Sequence, residues 1–287
     1  MYTKSLIPYR QIRPTHPYRV AFMSVITLGA LWWSLTALGI ASKIMVPSPE
    51  HVLKTAITLA DPPQNNAFAY YAFRNGSTLA SHTFDTGIRL ALSLFVGGIV
   101  GILLGAVSAV FVSLRVATIG WLLFYLGGIP RLIEILYVNS LGIIGTSACV
   151  LLGGLAIMCS SALATTIALH DSDLKDQVEH AKLECGTIPV VCIIALPQKS
   201  WNIAVGLWIG VTQALSLILF TEYVQSTSGL GFLLQIAFGS DVRVAEALVV
   251  MGAGLTALLV AQMSVALFAL LLPTLATRSL TLLQAVR

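Results

Sequence analysis

The ionisable residues of this chain are few, and those with the spacing or setting to do chemistry lie in three places. The densest is 170–199, which holds His170, Asp171, Asp173, Lys175, Asp176, Glu179, His180, Lys182, Glu184 and Lys199. Asp171–Glu184 can be helical, Gly186 can stop that helix, and Pro189 and Pro197 punctuate the residues beyond it. Ala181 and Gly186 are small, so another surface could approach there. The chemistry on offer is docking by a helix–Gly–helix elbow, and a solvated loop is the alternative. The second place is Arg131 and Glu134, three apart and able to pair on one helix face. Charged groups at membrane depth are costly and often functional, while near the end of a span a structural pair fits as well. The third is Glu222, followed by Ser226-Thr227-Ser228-Gly229-Leu230-Gly231-Phe232 and an apolar stretch to Phe238. Gly229 and Gly231 allow a tight turn, and the stretch could dip back into a bilayer. Irregular backbone at that depth survives only where protein or a watery cavity covers it. This region is therefore either a translocation-pathway element or a simple turn.

Catalytic and metal chemistry find no footing. Cys149, Cys159, Cys185 and Cys192 show no CxxC or Cys/His ligand spacing and read as unpaired thiols. There is no G-x-x-x-x-G-K-[ST] phosphate loop. The spans hold no His cluster or paired carboxylates, so a membrane-embedded enzyme is disfavoured, and neither a cofactor nor a metal is expected. No basic stripe with interleaved aromatics exists, which excludes nucleic-acid binding.

The elements that must position these residues are membrane helices. Of the 287 residues, 57% are hydrophobic and 10% charged, with a mean hydropathy of +0.88. Soluble domains carry roughly 25% charged residues. Stretches free of Asp, Glu, Lys and Arg cover Val20–Ser42, Leu90–Leu114, Val116–Pro130, Ile135–His170, Ser200–Thr221 and Ala247–Thr277. About 20 apolar residues cross about 30 Å of hydrocarbon as a helix, and none of these stretches alternates as a barrel strand would. The expected fold is all-α integral membrane, with six spans at about 20–41, 88–113, 116–140, 147–169, 201–222 and 247–272. The first is too long for the apolar core of a cleaved signal peptide. Residues 1–19 and 273–287 are expected as cytoplasmic ends, 20–272 as the transmembrane domain and 170–199 as a cytoplasmic loop. Lys4, Arg10, Arg13 and Arg19 before the first span place the N-terminus inside, and six spans return the C-terminus to the same side.

Two local signals stand out. Ser48 can cap a helix begun by Pro49 and Glu50, and Val52, Leu53, Ala56, Ile57 and Ala60 recur at helical spacing. That helix either lies on the outer membrane face or is a plain connector. Gly97, Gly101 and Gly105, with Ser93 one step earlier, form a small-xxx-small ladder for close helix packing. Arg89, at the outer end of that helix, is expected to snorkel.

Taken together, these pieces resemble the membrane-spanning permease subunits of ABC importers of the nitrate, sulfonate, taurine and bicarbonate group. The resemblance is carried by Met45-Val46-Pro47-Ser48-Pro49, by Thr86-x-x-Arg89 before the glycine ladder, and by Ile129-Pro130 with Gly145. It is carried most closely by Leu196-Pro197 through Gly206 and Glu222 to Ser228-Gly229-Leu230-Gly231. The departures mark a divergent member. The family's Glu-Ala-Ala-x-x-x-Gly is His180-Ala181-Lys182-x-x-x-Gly186 here, and its Gly-Ile-Gly is Ile143-Ile144-Gly145.

The resemblance implies a type I ABC importer-like permease in a bacterial inner membrane. It would be a non-catalytic subunit forming half of a pathway for a small, anionic-type solute. It also implies three protein partners: a separate ATP-binding subunit, a second permease chain (identical or different) and an external solute-binding protein. The ATPase would be engaged through Asp176, Glu179, His180, Ala181, Lys182, Gly186 and Pro189. An ion-gradient-driven secondary transporter is the alternative, but it would call for a repeat with broken helices and midplane ionisable groups. No convincing repeat exists, and Glu134 and Glu222 lie near span ends.

Overall fold

A computed structural model of the chain describes residues 17–39, 46–60, 67–73, 77–128, 131–170, 196–239 and 243–285. No strand occurs among them. The helices are α1 (Pro17–Ala37), α2 (Pro49–Ala60), α3 (Ala67–Ala72), α4 (Leu79–Val110), α5 (Val112–Gly128), α6 (Arg131–Ser140) and α7 (Thr146–Leu169). After a single helical turn at Leu196–Gln198 come α8 (Ser200–Gln225), α9 (Leu230–Gly239) and α10 (Val244–Ala285). Among the described residues four helices are long and apolar enough to cross a membrane: α4, α7, α8 and the Val244–Pro273 part of α10. Shorter apolar helices include Phe22–Ala37, Ser113–Tyr125 and Leu230–Gly239. The molecule is an all-α, multi-pass membrane protein.

Local sequence sets the helix ends. Thr78 and Ser81 form a reciprocal capping box at the start of α4: the Ser81 N–H donates to Thr78 Oγ1, and the Thr78 N–H donates to Ser81 Oγ. The Ser48 hydroxyl accepts the His51 N–H ahead of α2. Pro130 stands between α5 and α6, whose bounds are Gly128 and Arg131. Ile129 and Pro130, inside the apolar stretch expected as the third span, lie outside the described residues. Tyr125 Oη of α5 donates to Glu134 Oε2 of α6 at 2.7 Å.

α7 is the centre of the bundle. Its neighbour on one side is α4, through the glycine ladder. A Cβ added at Gly97 would collide with the backbone of Gly154, one at Gly101 with Ser161 Oγ and Met158 O, and one at Gly105 with Ala162 O and Thr165. Its neighbour on the other side is α8, where Gly206 lies against Ala164 and Ser160, and Gly210 against Ile157. Removing side chains brings the backbones together, and dispersion then replaces the hydrophobic drive that lipid cannot supply. Thr166 Oγ1 donates across the seam to Gly105 O at 3.3 Å.

A second cluster forms where α2 and α3 meet α9 and α10. Leu59, Phe68 and Ala72 pack with Leu230, Leu233, Ala237, Ala247 and Val250. α2 is therefore seated on the bundle through Leu59, while Leu53 and Ile57 on its other face stay exposed. α1 reaches the rest through the Trp32 Nε1–H, which donates to Pro47 O. α10 continues through Pro273 into the stretch expected as a tail.

Candidate functional site

Residues far apart in the sequence meet in one buried polar knot. α4 contributes His82, Thr86 and Arg89, one helical turn apart and on one face. α7 contributes Thr146 from its first position and α8 contributes Glu222 from its last turn. The turn 226–229 and the start of α9 close the knot.

Arg89 Nη1 pairs with Glu222 Oε1 at 2.6 Å, and the two side chains are 8% and 0% exposed. The same nitrogen donates to Ser228 O at 2.9 Å, Nη2 donates to Ser228 Oγ at 3.0 Å, and Nε donates to Thr146 Oγ1 at 3.3 Å. Thr86 Oγ1 shares its proton between the two Glu222 oxygens, at 2.9 Å each, and accepts the Leu230 N–H at 2.9 Å. Glu222 Oε2 also accepts the Gly231 N–H at 2.9 Å. The Gly229 N–H donates to His82 Nδ1 at 3.0 Å, which places the imidazole proton on Nε2, 3.1 Å from Ala72 O.

The first three N–H groups around the start of α9 thus find partners in side chains of α4 and α8, not in a local cap. A carboxylate at a helix N-terminus also favours the helix dipole. Glycine is required twice. Gly229 has φ +106°, and any side chain there would strike the Glu222 carboxyl group. A Cβ at Gly231 would strike Leu219 O and the Tyr223 N–H. Taking two charges out of water costs several kcal/mol per ion, so such a pair persists only when its remaining donors and acceptors are filled. Here four of the five Arg89 N–H groups and both Glu222 oxygens have partners, and the knot is a fixture that holds α9 against α4 and α8.

Of the residues singled out by sequence, the structure brings Glu222, Gly229 and Gly231 together here. Glu134 is elsewhere, buried between α5 and α6 and bonded to Tyr125. The side chain of Arg131 lies outside the described residues, as do Asp176, Glu179, His180, Ala181, Lys182, Gly186 and Pro189. One expectation is overturned. Arg89 does not snorkel, because it is buried and all three of its guanidinium nitrogens are engaged. Sequence reasoning missed His82 as well. The available signal was the spacing of His82, Thr86 and Arg89 along one face ahead of a long uncharged run, with a lone carboxylate late in α8 to meet it.

Cys149 is a buried free thiol, and Cys159 is buried as well. Among the described residues no group of three His, Cys, Asp or Glu side chains could hold a metal ion.

An all-helical bundle with a central small-residue helix, locked at one end by a buried ion pair, defines a polytopic membrane protein. No family model matches the chain. It is similar to the taurine transport system permease protein TauC of Escherichia coli (strain K12), with 27% identity over 222 residues, covering 76% of this chain and 77% of that one. That similarity bears out the resemblance read from the sequence, to the ABC permeases of the sulfonate and taurine group, as a divergent relative.

Proposed function

We propose that this protein is the membrane-spanning permease subunit of an ATP-driven ABC importer in a bacterial inner membrane. It forms half of the pathway for a small solute of the nitrate, sulfonate, taurine or bicarbonate type. The observation that carries the reading is the similarity to a taurine permease over three quarters of both chains. The knot supports it, since Thr86, Arg89, Glu222 and Ser228–Gly231, the pieces on which the family resemblance rests, act there as one unit. Solute and ATP chemistry are then divided. This chain supplies a path and a lever, a second permease chain completes the path, an external binding protein selects the solute, and a separate subunit hydrolyses ATP. Both termini face the cytoplasm in this reading, and Glu222 with the Ser228–Gly231 turn borders the pathway on its outer side.

The lever is 176–189. Exposed charge pairs contribute roughly 0–1 kcal/mol, so neutralising Lys182 alone should change little. Shape should dominate. Gly186→Trp would overpack the elbow at a cost of about 1–3 kcal/mol, which is roughly a tenfold to hundredfold loss of association. Purification of the tagged chain from its host membrane in mild detergent should bring down an ABC ATPase, and Gly186→Trp should lose it while remaining in the membrane. Wild-type protein that brings down no ATPase would remove the importer reading. A Gly186→Trp protein that retains it would remove 176–189 as the lever.

A further inference from the structure

At the end of the bundle where α7 finishes and α5 and α8 begin, a cavity of about 360 Å³ is lined by Arg115, Ile119, Thr166, Ile167, His170 and Asn202, among others. Among the described residues no carboxylate lines it. Arg115 lies in the first turn of α5, His170 caps the C-terminus of α7, and Asn202 lies in the first turn of α8. We infer that this cavity binds a phosphate-type anion, held by Arg115, His170 and Asn202, at a site separate from the Arg89–Glu222 knot and independent of what the protein carries.

The donor set supports the assignment. Arg115 Nη1 lies 2.7 Å from His170 Nδ1. A guanidinium is always protonated and only donates, so the imidazole accepts at Nδ1 and carries its proton on Nε2. The pair leaves the Nε2–H and the remaining Arg115 N–H groups as donors, and among the described residues those Arg115 groups make no other hydrogen bond. The Asn202 amide adds two more. Charge-assisted forks of this kind suit phosphate oxygens. The start of α8 reinforces it. Lys199 caps α8 without a side-chain hydrogen bond, so the first N–H groups of α8 receive none from their cap, and the positive end of a helix dipole favours an anion.

The surroundings indicate where such an anion would sit. Ile167, Val116 and Trp201 are more than half exposed around the cavity or next to its lining residues. Trp at this position is characteristic of a membrane–water boundary, and basic pockets between helices at that level take anionic headgroups. The same chemistry would accept free phosphate, so the source needs separate arms in the test.

The purified full-length protein is mixed with equal amounts of phosphatidylglycerol and phosphatidylcholine in detergent, and the lipids retained are counted by native mass spectrometry, with and without millimolar inorganic phosphate. Wild type should retain phosphatidylglycerol at least tenfold over phosphatidylcholine, and Arg115→Gln should bring that ratio close to one. Asn202→Leu, at an exposed position, should lower it severalfold. Unchanged melting and gel-filtration behaviour of Asn202→Leu keeps the comparison valid if Arg115→Gln fails to fold. Retention indifferent to phosphate identifies a lipid headgroup. Displacement by phosphate, or a raised melting temperature in phosphate alone that Asn202→Leu loses, identifies a soluble anion. Wild type with neither preference for phosphatidylglycerol nor any response to phosphate would overturn the site, as would folded variants that keep the wild-type ratio.

Discussion

The two halves of α4 are held in opposite ways. From His82 to Ser93 the helix is fixed by directional polar contacts: a buried ion pair, a threonine shared between a carboxylate and a backbone N–H, and a histidine bonded to a glycine N–H. From Gly97 to Gly105 it is fixed mainly by shape, its backbone close against α7, with one hydrogen bond from Thr166 Oγ1 to Gly105 O. The polar half specifies one register and one partner geometry. The glycine half tolerates no added volume but asks for no particular chemistry. A lipid-embedded protein has both devices available because neither depends on squeezing out water.

This contrast can be broken from either side. The largest effect should come from Arg89→Ala, which leaves Glu222 buried and uncompensated. Breaking such a pair costs about 3–5 kcal/mol, and thermal unfolding in detergent should show it. Replacing both partners in Arg89→Met/Glu222→Met should recover part of that loss. It should not recover all of it, because the Gly231 N–H then lacks its acceptor, and an orphaned buried donor costs about 1–3 kcal/mol. A double variant as unstable as Arg89→Ala would show that the pair's charges are not the source of the cost. In the glycine half, Gly101→Leu should destabilise by about 1–3 kcal/mol through overpacking. The loss should be insensitive to salt and accompanied by displacement of α7 from α4, measurable by spin-label distances. The smallest effect should come from Leu103→Ala, on the exposed face of the same stretch. Away from packed or polar features, substitutions usually stay within about 0.5 kcal/mol.

The sequence disclosed these halves unequally. The glycine ladder was legible because small residues four apart have one common use in a membrane helix, although the identity of α7 as its partner was not. The Ser48 cap and the helix it begins were legible because capping is a local matter. Arg89 was misread. Its depth and burial are set by Glu222 and Ser228, more than a hundred residues away, and no local rule reports such a pairing. Hydropathy was equally silent on environment. The apolar windows of α7 and α10 are 67% and 11% buried, and small residues in the one against large Leu, Val and Met in the other mark the difference.

The importer reading is tested most directly by uptake into proteoliposomes that contain this chain, its co-purified ATPase and any second permease chain, with the solute-binding protein supplied outside. Solute should accumulate only with ATP enclosed and binding protein present, and an imposed proton or sodium gradient should not replace ATP. Uptake driven by such a gradient in the absence of ATP would contradict the account and identify a secondary transporter instead.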